Sequence, residues 1–489
     1  MATTKVLGTE TEYGLMMGGA PDYSPAILSA LTVNAYPGPK ATVQWSYEEE
    51  APTRDARAVF DSLVPVSEGE ASMVNAVLSN GARLYVDHSH PEYSGPECFD
   101  PLEGALYDKA GEGVMREAIT ASAEVLPANQ ELRLFKNNSD GKGNSYGAHE
   151  NYLMSRSTPF SEIVRFAPTF FITRQIFTGS GKVGAENGRP SVDYQITQRA
   201  DFFEELVGIE TTIKRPIVNT RDEPHGDPEK YRRLHVIIGD ANRSEVQIFL
   251  KLGVTAIFLA ALEDGALPDP IILANPVRAC WETSHSPFSP VGVDDGGFMT
   301  PLEIQFRYLE WLSKYVENES DDEVWQRVLA EWRSVLEDLE SDPSKCADRL
   351  DWAAKQELLN AYRERHGLDW TSHKLAALAL LYHEISPRRD LYGRLVAEGR
   401  IRRLFTDESI ASAVREPPKK TRAFFRGKCV DRFSDDIWAA NWDSLVFDTG
   451  EPHLCRIPMM EPLRGDAERV AGLFAEASNV SELIENLGK

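Results

Sequence analysis

In the stretch NGARLYVDHSHPEYSGPE, residues 80–97, Arg83, Tyr85 and Asp87 stand two apart, and His88, His90, Glu92 and Glu97 follow at once. Side chains alternate between the faces of an extended chain, so Arg83, Tyr85 and Asp87 share one face while Leu84 and Val86 take the other. Pro91 and Pro96 hold the following run in an extended, non-helical path, which leaves its side chains little entropy to lose. The same alternation in GTETEYG, residues 8–14, puts Glu10 and Glu12 on one face and Thr11 on the other. If the two segments meet, their carboxylates make a hard-oxygen site, suited to Mg2+ accompanied by substrate phosphates rather than to zinc. The same residues also fit a half-buried strand whose Arg83–Asp87 pair is merely solvated.

Other reactive groups are scattered more thinly. His149, in the Gly-rich run YGAHENY, is either a hydrogen-bonded structural residue or a ligand, and the same holds for His235. The run NTRDEPHGDPEKYRRLH, residues 219–235, sets Arg221, Arg232 and Arg233 near Asp222, Glu223 and Glu229. It reads either as a self-satisfied salt-bridge network or as a clamp for a carboxylate or phosphate, whose oxygens the guanidinium fork matches. TGSGKVG, residues 178–184, is not a Walker A loop, because Ile176 stands where the first glycine belongs and Val183 follows the lysine. It is expected to be a glycine-rich turn.

These groups need strands and helices to position them. TKVLGTETEYGLMM, ELRLFKNN and RRLHVIIGDAN carry strand character, and SEVQIFLKLGVTAIFLAALEDG predicts a buried helix closed by glycine. Beyond Pro301 the pattern turns to charged amphipathic helices, and EPPKK at 416–420 predicts a boundary before a small C-terminal domain. Residues 47–73 are acidic and poor in periodicity, as in a long loop or insertion. The 489 residues exceed one typical core, and the formal charge of −24 argues against nonspecific binding to nucleic acid or anionic membranes. The N-terminal run lacks a charged region followed by an apolar one, which predicts a cytoplasmic protein with no membrane association. The five cysteines, Cys98, Cys280, Cys346, Cys429 and Cys455, form no CxxC pair and are read as reduced bystanders.

Taken in order, GTETEYG at 8–14, NGARLYVDHSHPEYSGPE at 80–97, KNNSDGKGNSYGAHENYL at 136–153, NTRDEPHGDPEKYRRLHVIIGDAN at 219–242 and NWDSLVFD at 441–448 resemble the family of Pup ligase and Pup deamidase/depupylase over nearly the whole chain. The resemblance implies an α+β fold like that of glutamine synthetase and the carboxylate-amine ligases. A curved, mainly antiparallel β-sheet cradle packed with helices would span residues 1–416, with the acidic insertion at about 47–73 and a small C-terminal domain at 417–489. It implies ATP and Mg2+ as cofactors, and the small protein Pup and pupylated proteins as partners.

Residue by residue, the resemblance makes Asp87 the catalytic carboxylate and places Glu10, Tyr85 and Glu92 at magnesium-associated positions, with Glu12 and His149 as further metal candidates. Arg83 and Trp442 fall at nucleotide-contacting positions, as does Gly95, where only a backbone contact survives. Arg221, Arg232 and Arg233 are the candidates for the substrate end.

Of the family's two arms, one joins Pup to substrate lysines with ATP hydrolysis, and the other hydrolyses amides at Pup's C-terminal side chain. Three features favour the hydrolytic arm: GTETEYG rather than the ligases' usual GIETEFG, the shorter DHSHPE turn, and the insertion near 47–73.

Overall fold

The computed structural model describes residues 2–20, 22–45, 54–57 and 74–488. The chain forms two compact units, one of residues 1–5, 135–220 and 234–405, the other of residues 6–134, 221–233 and 406–489. Apart from residues 54–57, the expected acidic insertion lies outside the described residues.

The second unit is built on an antiparallel sheet. Its strands β1 (Leu7–Glu12), β2 (Lys40–Thr42), β3 (Asn75–Leu78), β4 (Arg83–Asp87) and β5 (His90–Ser94) are hydrogen-bonded in the order β1–β5–β4–β3–β2. Register decides which side chains meet: Tyr85 of β4 stands opposite Glu92 of β5, and Glu92 stands opposite Glu12 of β1. The other face belongs to the core, where Leu84 and Val86 are buried.

Two helices, α1 (Pro25–Ala35) and α2 (Pro101–Ser122), pack on each other and on these strands. Helix α2 starts where Asp100 accepts a hydrogen bond from the Glu103 amide at 2.9 Å, with Pro101 in the first turn, where its missing N–H costs nothing. At Gly111, a Cβ would come within 2.5 Å of the Tyr93 ring, so helix and strand approach closely only because this residue lacks a side chain. Tyr93 neighbours Glu92 on β5 and points the other way, so the helices cover one face and leave the carboxylate face open.

Residues after the expected boundary at 416 belong to this same unit. Phe425, Cys429, Phe447, Phe474 and Leu483 share a buried cluster with Ala41, Trp45 and Val77. A second small sheet runs Cys455–Pro458, Ser444–Phe447, Ile437–Ala440 and Gln44–Trp45, the last pair parallel. Residues 417–489 thus pack with the strands that open this unit.

The first unit centres on the helix Glu245–Glu263, capped by Ser244 and followed by Gly265 in the left-handed region at φ 62°. It is long and apolar enough to cross a membrane, yet its most apolar window is wholly buried, as in the core helix of a globular unit. Phe258 stacks on Phe170 of helix Phe160–Thr173 at 4.1 Å. The helices Pro301–Glu319, Glu323–Ser341 and Asp351–His366 bear out the amphipathic pattern read beyond Pro301. In TGSGKVG, Gly181 and Gly184 both adopt φ 75° around the short strand Lys182–Val183, as a glycine-rich turn requires. All five cysteines are free. Helices and a mainly antiparallel sheet together give the α+β class.

Candidate active site

Three strands of the second unit bring the acids together. Glu10 and Glu12 on β1, Glu92 on β5 and Tyr85 and Asp87 on β4 project from one face, because register pairs Glu12 with Glu92 and Glu92 with Tyr85. Glu92 is 3 % exposed. Burial, followed by the charges of Asp87, Glu12 and Glu10, pushes its carboxyl well above the usual carboxylate range. Ser94 donates to it at 3.4 Å. Burial and the Glu92 carboxylate likewise push the Tyr85 phenol up, so it keeps its proton.

Asp87 differs from its neighbours. It closes β4 at the rim of the sheet, and its side chain is 35 % exposed. The two residues after it, His88 at φ 42° and Ser89 at φ 69°, are both left-handed, which makes the β4–β5 link a two-residue hairpin of the kind that matches strand twist. Neither is the glycine or asparagine such turns favour. Ser29 donates to the Ser89 carbonyl at 2.7 Å and helps hold the conformation. His88 Nδ1 meets Asp87 Oδ2 at 2.6 Å, and that hydrogen bond, against the opposing effect of burial, raises the imidazole to about 9. His90 Nδ1 lies 3.4 Å from Glu12 Oε2.

Beside the acids lies an aromatic box. The Arg83 guanidinium sits 3.7 Å from the Trp45 ring centroid and 3.8 Å from that of Tyr85, and its Nε donates to Asn75 Oδ1 at 3.0 Å. Trp442 meets Trp45 edge to face at 5.6 Å. The guanidinium is held between these two rings, and the partly exposed Trp442 indole alongside is the surface that suits stacking on a planar heterocycle.

The other expected residues fall as follows. The Gly95 amide donates to the Thr9 carbonyl at 2.8 Å, so that N–H is committed to the sheet. Arg233 reaches Glu10 at 3.8 Å and donates to the Glu223 carbonyl at 2.8 Å. Arg232 is buried and paired with Asp222 at 3.3 Å, following the internal-network reading of its run. The Arg221 backbone forms an isolated antiparallel β-bridge with that of Asp55. His149 belongs to the first unit, on the strand Ala148–Ser155, with its ring 4.8 Å from that of His235.

Sequence reasoning passed over Asn75, Trp45 and Arg426, all of which touch these groups. Asn75 opens β3 opposite Tyr85, a register visible only once the strands are paired. Glu97, noted as one more acid of the turn, instead accepts from Arg422 Nε at 2.7 Å and pairs with Arg426. Burial alone would raise it, but the two guanidiniums take its carboxyl down to about 2.

A carboxyl pushed above its usual range by burial and by the charges of Asp87, Glu12 and Glu10 would gain from a hard divalent cation. Glu10, Glu12 and Glu92 would hold it, and ligand atoms of Glu12, Asp87 and His88 lie within 4.8 Å of one another.

The sequence matches the family described as Pup-ligase protein across residues 5–446. It is 46% identical to the Pup deamidase/depupylase of Mycolicibacterium smegmatis over 99% of both chains. With the Pup–protein ligase of Acidimicrobium ferrooxidans it shares 42% identity over 87% of this chain and 93% of the ligase. The solved complex between Pup and its ligase PafA superposes with a TM-score of 0.82 at 32% identity, covering 96% of this chain and 91% of that one. PafA in complex with ADP gives 0.75 at 33% identity, over 88% and 99%.

Proposed function

The chain belongs to the Pup-ligase protein family, and from that premise we propose that it hydrolyses the side-chain amide at Pup's C-terminal residue. It would convert a C-terminal glutamine to glutamate and release lysines from Pup-tagged proteins. Both reactions break a γ-carboxamide, so one site serves both. The higher identity to the deamidase/depupylase than to the ligase, over nearly all of both chains, supports the hydrolytic arm.

The observation that carries the chemistry is the contrast among the acids of one face. Asp87 stands at the exposed rim while Glu92 is buried beneath it, so Asp87 is the carboxylate that reaches a substrate amide. Asp87 attacks the carbonyl or takes a proton from the attacking water. Its hydrogen bond to His88 fixes the carboxylate plane on the open side of the hairpin. Arg233, beside Glu10, supplies positive charge where the amide oxygen develops its negative charge, with Arg221 in the same run as the second contact for Pup's acidic end. Arg232 acts through Asp222 to hold that run in place.

Glu10, Glu12 and Glu92, with Tyr85 alongside, would hold Mg2+, which would supply Lewis acidity and balance the acids. ATP would lie against Arg83 and Trp442, its base among the rings. The likeness to a ligase solved in complex with ADP supports nucleotide binding. Amide hydrolysis needs no net energy input, so the nucleotide serves as a resident cofactor.

Incubation with Mg-ATP and Gln-ended Pup is expected to raise the Pup mass by about one unit, and Asp87→Asn should slow this by about 10^2 to 10^4-fold. Formation only of conjugates, from Glu-ended Pup, would establish the ligase reaction instead.

A further inference from the structure

Trp442 stands at the tip of a hairpin, between the strands Ile437–Ala440 and Ser444–Phe447, only partly buried against the core cluster that contains Trp45 and Phe447. Two groups set its plane. Trp45 meets it edge to face from β2's continuation. Arg426, on helix Ala423–Phe433, lies with its guanidinium carbon 5.0 Å from the Trp442 ring centroid and donates from Nη1 to the Trp442 carbonyl at 3.2 Å.

Arg426 is 1 % exposed, and its other donors are all spent. Nε and Nη2 donate to the Gly81 carbonyl at 2.9 and 2.8 Å, Nη1 also reaches Glu97 Oε1 at 3.2 Å, and Nη2 pairs with Glu97 Oε2. Gly81 lies two residues before Arg83, at φ 82°, and a Cβ there would stand 2.8 Å from the Ala423 carbonyl. The chain passes this close to the Arg426 helix only because the residue is glycine. One guanidinium therefore fixes the Trp442 ring and the turn that feeds Arg83 into β4.

We propose that Arg426 is a positioning residue for the nucleotide, setting the spacing between Trp442 and Arg83 so that a purine base fits beside both. This rests on the reading of Trp442 and Arg83 as nucleotide contacts. A lysine would preserve the charge opposite Glu97, but its ammonium has no plane to lay on the indole and too few donors for three acceptors. Arg422 supplies the control. It shares Glu97 at 2.7 Å and donates to the Met459 carbonyl at 2.7 Å, so it belongs to the same ion pair while its donors go elsewhere than Trp442.

The test uses the full chain, titrated with Mg-ATP and assayed on Gln-ended Pup at varied ATP. Arg426→Lys is expected to weaken ATP binding about tenfold while kcat at saturating ATP stays within about twofold, and Arg422→Lys is expected to lose comparable thermal stability with ATP affinity unchanged. Equal loss of affinity in both variants would reduce Arg426 to a structural ion-pair residue and overturn the proposal. If Arg426→Lys does not fold, Glu97→Gln provides the second arm. It leaves Arg426 on Trp442 and should keep ATP affinity, and a tenfold loss there would likewise overturn it. Trp442→Ala separates the two layers. If it binds ATP like the wild type, the nucleotide site itself is misplaced; if it binds weakly while Arg426→Lys binds normally, only the positioning role fails.

Discussion

The acids of the sheet face are unequal because of depth, and depth was not legible in the sequence. Alternation in GTETEYG and RLYVD correctly placed Glu10 with Glu12 and Arg83 with Tyr85 and Asp87, since a strand's two-residue period follows directly from residue spacing. Which of these groups would be exposed depends on where each strand ends and on what lies across from it. Glu92 is the clearest case. Without a cation its buried carboxyl must either keep a proton or bear the repulsion of Asp87, Glu12 and Glu10. Glu92→Gln is therefore expected to stabilise the metal-free protein by about 1–3 kcal/mol, as removal of an uncompensated buried charge does. The same variant should lose most of the rise in melting temperature that Mg2+ gives the wild type. A scan with and without Mg2+ measures both, and an unchanged Mg2+ response would remove Glu92 from the metal site.

At the scale of elements, the β4–β5 hairpin and the α2–sheet contact are the two places where backbone sets the site. Pro91 and Pro96 stiffen this run, but the left-handed pair His88–Ser89 carries no sequence signal, because neither residue is a usual turn former at positive φ. That conformation carries a cost which glycine would relieve. Ser89→Gly is expected to raise stability by about 0.5–1 kcal/mol in urea unfolding, the left-handed penalty less glycine's greater freedom when unfolded. Gly111→Ala should act in the opposite direction. Its Cβ would strike the Tyr93 ring, whose hydroxyl accepts from Asn80 Nδ2 at 3.1 Å, and overpacking of this kind costs about 1–3 kcal/mol. Because Tyr93 neighbours Glu92 and Ser94, that variant should also lower deamidase activity, and full activity with unchanged stability would show that the contact relaxes freely.

Across the whole molecule, Glu97 ties segments far apart in sequence, and its titration gives the acid response a specific origin. Its carboxyl falls from an ordinary value of 4.5 to about 2 beside Arg426 and Arg422, so the stabilisation is fully present above 4.5 and is lost as pH falls towards about 2. The span corresponds to about 3 kcal/mol. Urea midpoints followed through that window should decline less steeply for Glu97→Gln than for the wild type, and parallel curves would show that other carboxyls govern acid unfolding. Local patterning revealed a mixture of strands and helices, and the family resemblance implied the α+β class, but patterning did not reveal this closure, since a proline pair marks where a helix cannot continue without saying what the next segment packs against. Residues 406–489 complete the unit that opens with β1. Synthesis therefore places Asp87 and every acid of its face on the chain long before Arg426 and Trp442, so the unit that carries them is closed only when this last stretch has been translated.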